Sequence, residues 1–116
     1  MVTEAESHDY PQYALERVRE LAASGAVIYG FSSVQNSVAS LRYEPSDVCT
    51  CLRMLEPRNF QKSVRYDSKG PWLDVYLIQV KFNDSVESQD NLYIKLKLDL
   101  SRMNVVLASF HPERYL

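Results

Sequence analysis

A chain of 116 residues, 46% hydrophobic and 24% charged, has the length of one domain and the composition of a folded protein. No apolar run approaches the roughly 20 residues needed to span a bilayer. The opening MVTEAESHDYPQY is polar and acidic, not a secretory signal, so a cytoplasmic protein without a membrane partner is expected.

Residues 1–9 read as a loose tail and residues 10–116 as a single domain. The first helix is expected from about Pro11 to Ala23, with Asp9 as its N-cap and Pro11 in its first turn. Leu15, Val18, Leu21 and Ala22 recur at helical spacing, and Gly25 is the natural stop. Ser32 or Ser33 caps a second short helix through Val34, Val38 and Leu41. A third starts near Pro45 with Asp47 in its first turn, and turns Val48, Cys51, Leu52 and Leu55 to one side. Pro57 stops a simple continuation, and Pro57–Lys62 reads as one more helical turn.

Beyond that point the period changes from 3.6 to 2. Residues 72–82, 91–99 and 104–110 read as three strands, joined through 83–90 and 100–103 and therefore antiparallel. Leu92, Ile94, Leu96 and Leu98 face one side of the second strand, and Tyr93, Lys95, Lys97 and Asp99 face the other. The expected fold is α+β, with N-terminal helices packed on the leucine face of a three-stranded antiparallel sheet and the Tyr93/Lys95/Lys97 face open.

The net charge of −2 is awkward for a nucleic-acid binder, but its distribution is uneven. Residues 1–52 carry three basic and seven acidic residues, whereas 53–116 carry ten basic and eight acidic ones. Three of those eight acids, Asp84, Glu87 and Asp90, fall in one predicted loop. Cys49 and Cys51 are spaced C-x-C on a predicted helix, where they point apart and can neither bridge nor share a metal. They read as reduced structural thiols.

Two readings of the open face stand side by side: a solvated sheet surface, or a platform where lysines hold phosphates and aromatic rings stack unpaired bases. The terminal SFHPERYL places His111 past Phe110, on the side of Ser109 and Leu107 by simple alternation. A hairpin of the last two strands brings His111 near Tyr93. His111 is then either a surface residue near the chain end or part of a reactive group. A His, a Tyr and a Lys around one phosphate can cleave RNA without metal. One group removes the proton of the ribose 2′-hydroxyl, another protonates the departing 5′-oxygen, and a cation offsets the phosphorane charge. Nothing points to a cofactor. The only glycines are Gly25, Gly30 and Gly70, the only histidines His8 and His111, and no metal-ligand cluster or nucleophile elbow is present.

The order Phe60-Gln61-Lys62-Ser63, Trp72-Leu73-Asp74-Val75-Tyr76, Tyr93-Ile94-Lys95, Ser109-Phe110 resembles the MqsR family of type II toxin–antitoxin mRNA interferases over roughly residues 13 to 111. That resemblance implies a RelE-like architecture and ribosome-independent cleavage of mRNA at short GC-containing sites. It also implies neutralisation by a cognate antitoxin, often a zinc-containing one. Residue by residue, it implies catalytic roles for Lys62 and Tyr93. His111 stands where the family has a lysine, and Leu73 where it has a glutamine. The chain is also longer than the family through 83–90. The expected function is a metal-independent endoribonuclease toxin, with Lys62, Tyr93 and His111 catalytic and Arg65, Tyr66, Tyr76 and Lys95 binding RNA. The rival is a non-catalytic module that uses the sheet face or edge to hold a protein or nucleic acid.

Overall fold

The computed structural model of the chain describes residues 6–82 and 89–113. The apolar stripes read from the sequence form the buried sides of three helices: α1 (Leu15–Ala23), α2 (Ser32–Ser40) and α3 (Pro45–Arg53). Val18, Leu21 and Ala22 are buried on α1, Val34 and Val38 on α2, and Val48, Cys51 and Leu52 on α3. Helix α1 starts four residues later than Pro11. The backbone N–H groups of Gln12 and Tyr13 donate not into the helix but to the buried carboxylate of Asp74, at 3.0–3.1 Å. It stops where expected. Gly25 takes φ +76°, and the N–H of Ala26 closes back on the carbonyl of Leu21 at 2.8 Å. Helix α3 opens on a reciprocal cap, with the Glu44 N–H donating to Asp47 Oδ2 at 2.8 Å and Pro45 in the first turn.

The expectation of a three-stranded antiparallel sheet is overturned. Among the described residues the sheet has six strands: β1 (Glu6–His8), β2 (Val27–Tyr29), β3 (Phe60–Arg65), β4 (Leu73–Lys81), β5 (Gln89–Leu98) and β6 (Val105–Pro112). Their order is β1-β3-β4-β5-β6-β2. Neighbours are antiparallel except β2, which runs parallel to β6, so the sheet is mixed. Residues 6–8, inside the segment read as a tail, pair with β3 as an edge strand. Residues 57–62 were expected to be helical, yet only Pro57–Asn59 makes a 3-10 turn before the chain extends as β3. Asp90, expected in a loop, lies in β5, where it accepts a 2.5 Å hydrogen bond from the Tyr43 hydroxyl. The other two acids of that predicted loop, Asp84 and Glu87, lie outside the described residues. Gly30 permits the close approach that ends β2, since a Cβ there would lie 2.8 Å from the Leu107 carbonyl oxygen.

The sheet has one covered and one open face. Tyr76, Ile78 and Val80 of β4, Leu92, Ile94, Leu96 and Leu98 of β5, and Val105, Leu107 and Phe110 of β6 form the core with the helix residues. Each such side chain contributes about 1.5–3 kcal/mol through removal from water. Tyr93, Lys95 and Lys97 alternate onto the other face, as expected, and are half-buried there.

Two bulges decide which residues reach that open face. Phe60 pairs with Tyr76 but Lys62 with Val75, so Gln61 is an extra residue. Leu107 pairs with Leu96 but Ser109 with Lys95, so Ala108 is another. Simple alternation had placed Leu107 and His111 on one side. Instead the bulge turns Leu107 into the core and leaves Ser109 and His111 on the open face. In the same way Phe60 packs toward the core while Lys62, two residues later, faces out with Val75.

Candidate nucleic-acid interface

Strand pairing arranges the open face in transverse rows. Lys62, Val75, Lys95 and Ser109 form one row across β3, β4, β5 and β6. Leu77, Tyr93 and His111 form the next, two residues along. Neighbouring strands lie about 4.8 Å apart and successive rows about 7 Å apart, so the ends of long side chains converge above Val75 and Leu77. Val75 is only 1% exposed although it lies on this face, because the longer side chains around it cover it.

The rings of Tyr93 and His111 stack with centroids 5.0 Å apart and planes 14° from parallel. His111 Nδ1 lies 2.8 Å from the carbonyl oxygen of Pro112. A carbonyl only accepts, so this contact holds the proton on Nδ1 and leaves Nε2 with its lone pair available. Lys95 Nζ is hydrogen-bonded to the Tyr66 hydroxyl and sits 4.7 Å from the Tyr66 ring centroid and 5.6 Å from that of Tyr93. The ammonium is thereby held at the Tyr66 hydroxyl and beside the Tyr93 ring. This part of the surface gathers Lys62, Lys95, Tyr66, Tyr93 and His111. The arrangement offers cations for an anion, a ring face for a planar ligand, and an imidazole nitrogen for proton transfer.

Two residues expected at the site are elsewhere. Tyr76 is 1% exposed and lies on the helix side, edge-on to Phe60 at 5.6 Å. Burial pushes its hydroxyl up to about 12. Arg65 also turns to the helix side of β3. Its guanidinium lies 4.7 Å over the Trp72 ring and pairs with Glu6 at 2.5 Å. Lys62, Tyr66, Tyr93, Lys95 and His111 are the expected residues that the fold brings to one face.

Sequence reasoning gave Asp74 no role, yet it organises this part of the molecule. Fully buried on β4, it accepts both N–H bonds that fix the start of α1, while the Tyr13 hydroxyl donates to the Trp72 carbonyl at 2.6 Å. Desolvation raises its carboxyl above the ordinary value, and the Gln12 N–H is the largest opposing influence. The signal was present as a lone acid in the apolar run Trp72–Val80, since a charge in such a strand requires partners. Cys51 is buried, which pushes its thiol up to about 12. Cys49 is half-buried, and burial raises its thiol too.

Fold and site together define a class: a mixed sheet with helices on one side and an open cationic, aromatic face on the other. A family model described as "Motility quorum-sensing regulator, toxin of MqsA" matches residues 10–112, and the chain belongs to that family. It is accordingly a toxin of a toxin–antitoxin pair, with an antitoxin as its partner. No curated protein matches the chain. No helix among the described residues is long and apolar enough to cross a membrane.

Proposed function

We propose that the toxin is an endoribonuclease that cleaves mRNA at the open face, by attack of a ribose 2′-hydroxyl on the adjacent phosphate. The observation that carries this reading is the Tyr93–His111 stack, with His111 Nε2 free to exchange a proton and two lysines in the neighbouring row.

In this mechanism Lys62 balances the charge that develops on the phosphorane oxygens, and Lys95, held by Tyr66 and Tyr93, anchors the RNA backbone. His111 and Tyr93 share proton transfer. One accepts the proton lost by the 2′-hydroxyl, and the other supplies the proton that leaves with the 5′-oxygen. The products are a 2′,3′-cyclic phosphate and a 5′-hydroxyl. These side chains complete the step without a cofactor.

Arg65 and Tyr76, placed on the other side of the sheet, have no part in this step. Antitoxin pairing then serves to restrain a toxin whose substrate is mRNA. Induced expression followed by mapping of RNA 5′ ends tests the proposal. Growth arrest with new, sequence-clustered 5′-hydroxyl ends supports it. Normal growth at verified expression, with no new ends, refutes it.

A further inference from the structure

β3 pairs with β4 only as far as Phe60 opposite Tyr76; before Phe60 the chain turns away through Pro57–Asn59. The far half of β4 is therefore uncovered on that side. A cleft of about 460 Å³ opens there, lined among others by Arg58, Asn59, Leu77, Gln79, Asn91 and Glu113. That size is in the range of small-ligand pockets.

The cleft adjoins the site just described. Gln79 and Asn91 are paired across β4 and β5, and the Glu113 N–H donates to the Asn91 carbonyl at 2.6 Å. They form the row next to Leu77, Tyr93 and His111, about 7 Å away along the strands. Tyr93 stacks on His111 toward β6; on the β4 side its cross-strand partner is Leu77, which lines the cleft.

The Gln79 side chain donates through Nε2 to Asn91 Oδ1 at 3.0 Å. This fixes both amides and leaves the Gln79 Oε1 acceptor and Asn91 Nδ2 donors available at the surface. Adjacent donors and acceptors in fixed positions are what reads the edge of a nucleobase. Nearer the Lys62–Ser109 row the face is largely apolar, with Val64, Leu73, Val75, Leu77 and Val106 on it, and Asn59 Oδ1 accepts the Glu56 N–H at 2.8 Å.

We infer that Gln79 and Asn91 are specificity-determining residues, which read one unpaired base of the RNA beside the phosphate held at Tyr93 and His111. This rests on the ribonuclease reading above and adds to it the position where sequence is recognised. Arg58 on the opposite wall supplies positive charge for the backbone of that nucleotide, offset in part by its 3.3 Å pair with Glu56.

The test uses the full chain and a pool of RNA oligonucleotides randomised over the cut region, with the ends of the products sequenced. Gln79→Ala should relax the base preference at one position by roughly 5- to 100-fold, the worth of one well-placed base contact, and leave the other positions unchanged. Asn91→Asp keeps the acceptor that Gln79 uses but replaces a donor by an acceptor, so the preferred base at that same position should change. A wild-type consensus in both folded variants overturns the assignment. So does an equal loss of cutting on every sequence, which would place the two amides in the chemistry or the fold. A wild-type chain that cuts no RNA overturns the ribonuclease reading, and this inference with it.

Discussion

Tyr93 and His111 stand directly opposite each other on β5 and β6 with their rings stacked at 5.0 Å. The carbonyl of Pro112 fixes which imidazole nitrogen carries the proton. If His111 transfers a proton, His111→Ala should lower the cleavage rate by roughly 10²–10⁴-fold. His111→Lys should retain part of the activity, because an amine also exchanges protons and attracts phosphate. Tyr93→Phe keeps the stacking ring and removes only the hydroxyl. Both positions are half-buried at the sheet surface, so unfolding free energies should shift by less than about 1 kcal/mol. Steady-state cleavage assays beside urea denaturation separate the two effects. Wild-type rates in both His111→Ala and Tyr93→Phe would remove these residues from the mechanism.

The bulges at Gln61 and Ala108 decide which side chains meet on the open face. Deleting Gln61 puts Phe60 and Lys62 in strict alternation, so one of them must take the wrong face. Either the half-buried Phe60 loses its packing against the core, at a cost of about 1–3 kcal/mol, or Lys62 leaves the site. Deleting Ala108 sets the same conflict between Leu107 and His111. Each deletion should lower the unfolding midpoint or abolish cleavage in a chain that still folds. Wild-type stability together with wild-type activity would show that the bulges are incidental.

Asp74 holds the N–H groups of Gln12 and Tyr13 in a fully buried setting. Asp74→Ala strands those donors and should destabilise the fold by about 2–4 kcal/mol, while Asp74→Asn, which keeps an acceptor oxygen, should cost less. The raised carboxyl sets the pH dependence. A group whose folded value lies above its unfolded one binds its proton more readily when folded. On this residue's account stability therefore rises as pH falls through the raised folded value, and levels off below the ordinary carboxylate value. The stability deficit of Asp74→Asn relative to wild type should thus be larger at acidic pH than at neutral pH. Asp99 works in the opposite sense. Hydrogen bonds led by the Asn104 side chain lower its carboxyl, so its contribution is present above the ordinary value and lost as pH falls through the lowered one. Denaturation curves of the Asp74 pair across pH 3 to 7 check this. A deficit that shrinks on acidification contradicts it.

The legible part of the fold was carried by local periodicity. Leu92, Ile94, Leu96 and Leu98 alternate without interruption, and the stripes of α1, α2 and α3 follow helical spacing, so both the core and the open face were readable. Three strands were not. β1 and β2 have three residues each, too few for a period to register, and β2 joins the sheet by a parallel pairing with β6 across some 80 residues of sequence. β3 was hidden by its own bulge, since Phe60 and Lys62 break the alternation that marks a strand. The candidate site divides in the same way. Tyr93, Lys95 and His111 followed from strand pattern and hairpin geometry. Lys62 came from the family resemblance alone. Arg65 and Tyr76 fall on the helix side, a placement hidden in the sequence because Ser63 and Val64 of β3 and Asp74 to Tyr76 of β4 are buried on both faces, which leaves no polar alternation there to tell one side from the other.

The central claim is that side chains of the open face cleave RNA through its own 2′-hydroxyl. The most direct test incubates the purified chain with a defined mRNA fragment in excess EDTA and determines the end groups of the products. The account predicts undiminished cleavage with 2′,3′-cyclic phosphate and 5′-hydroxyl ends, abolished when every 2′-hydroxyl is methylated. Cleavage that stops in EDTA and returns with magnesium, or products bearing 5′-phosphates, would contradict it.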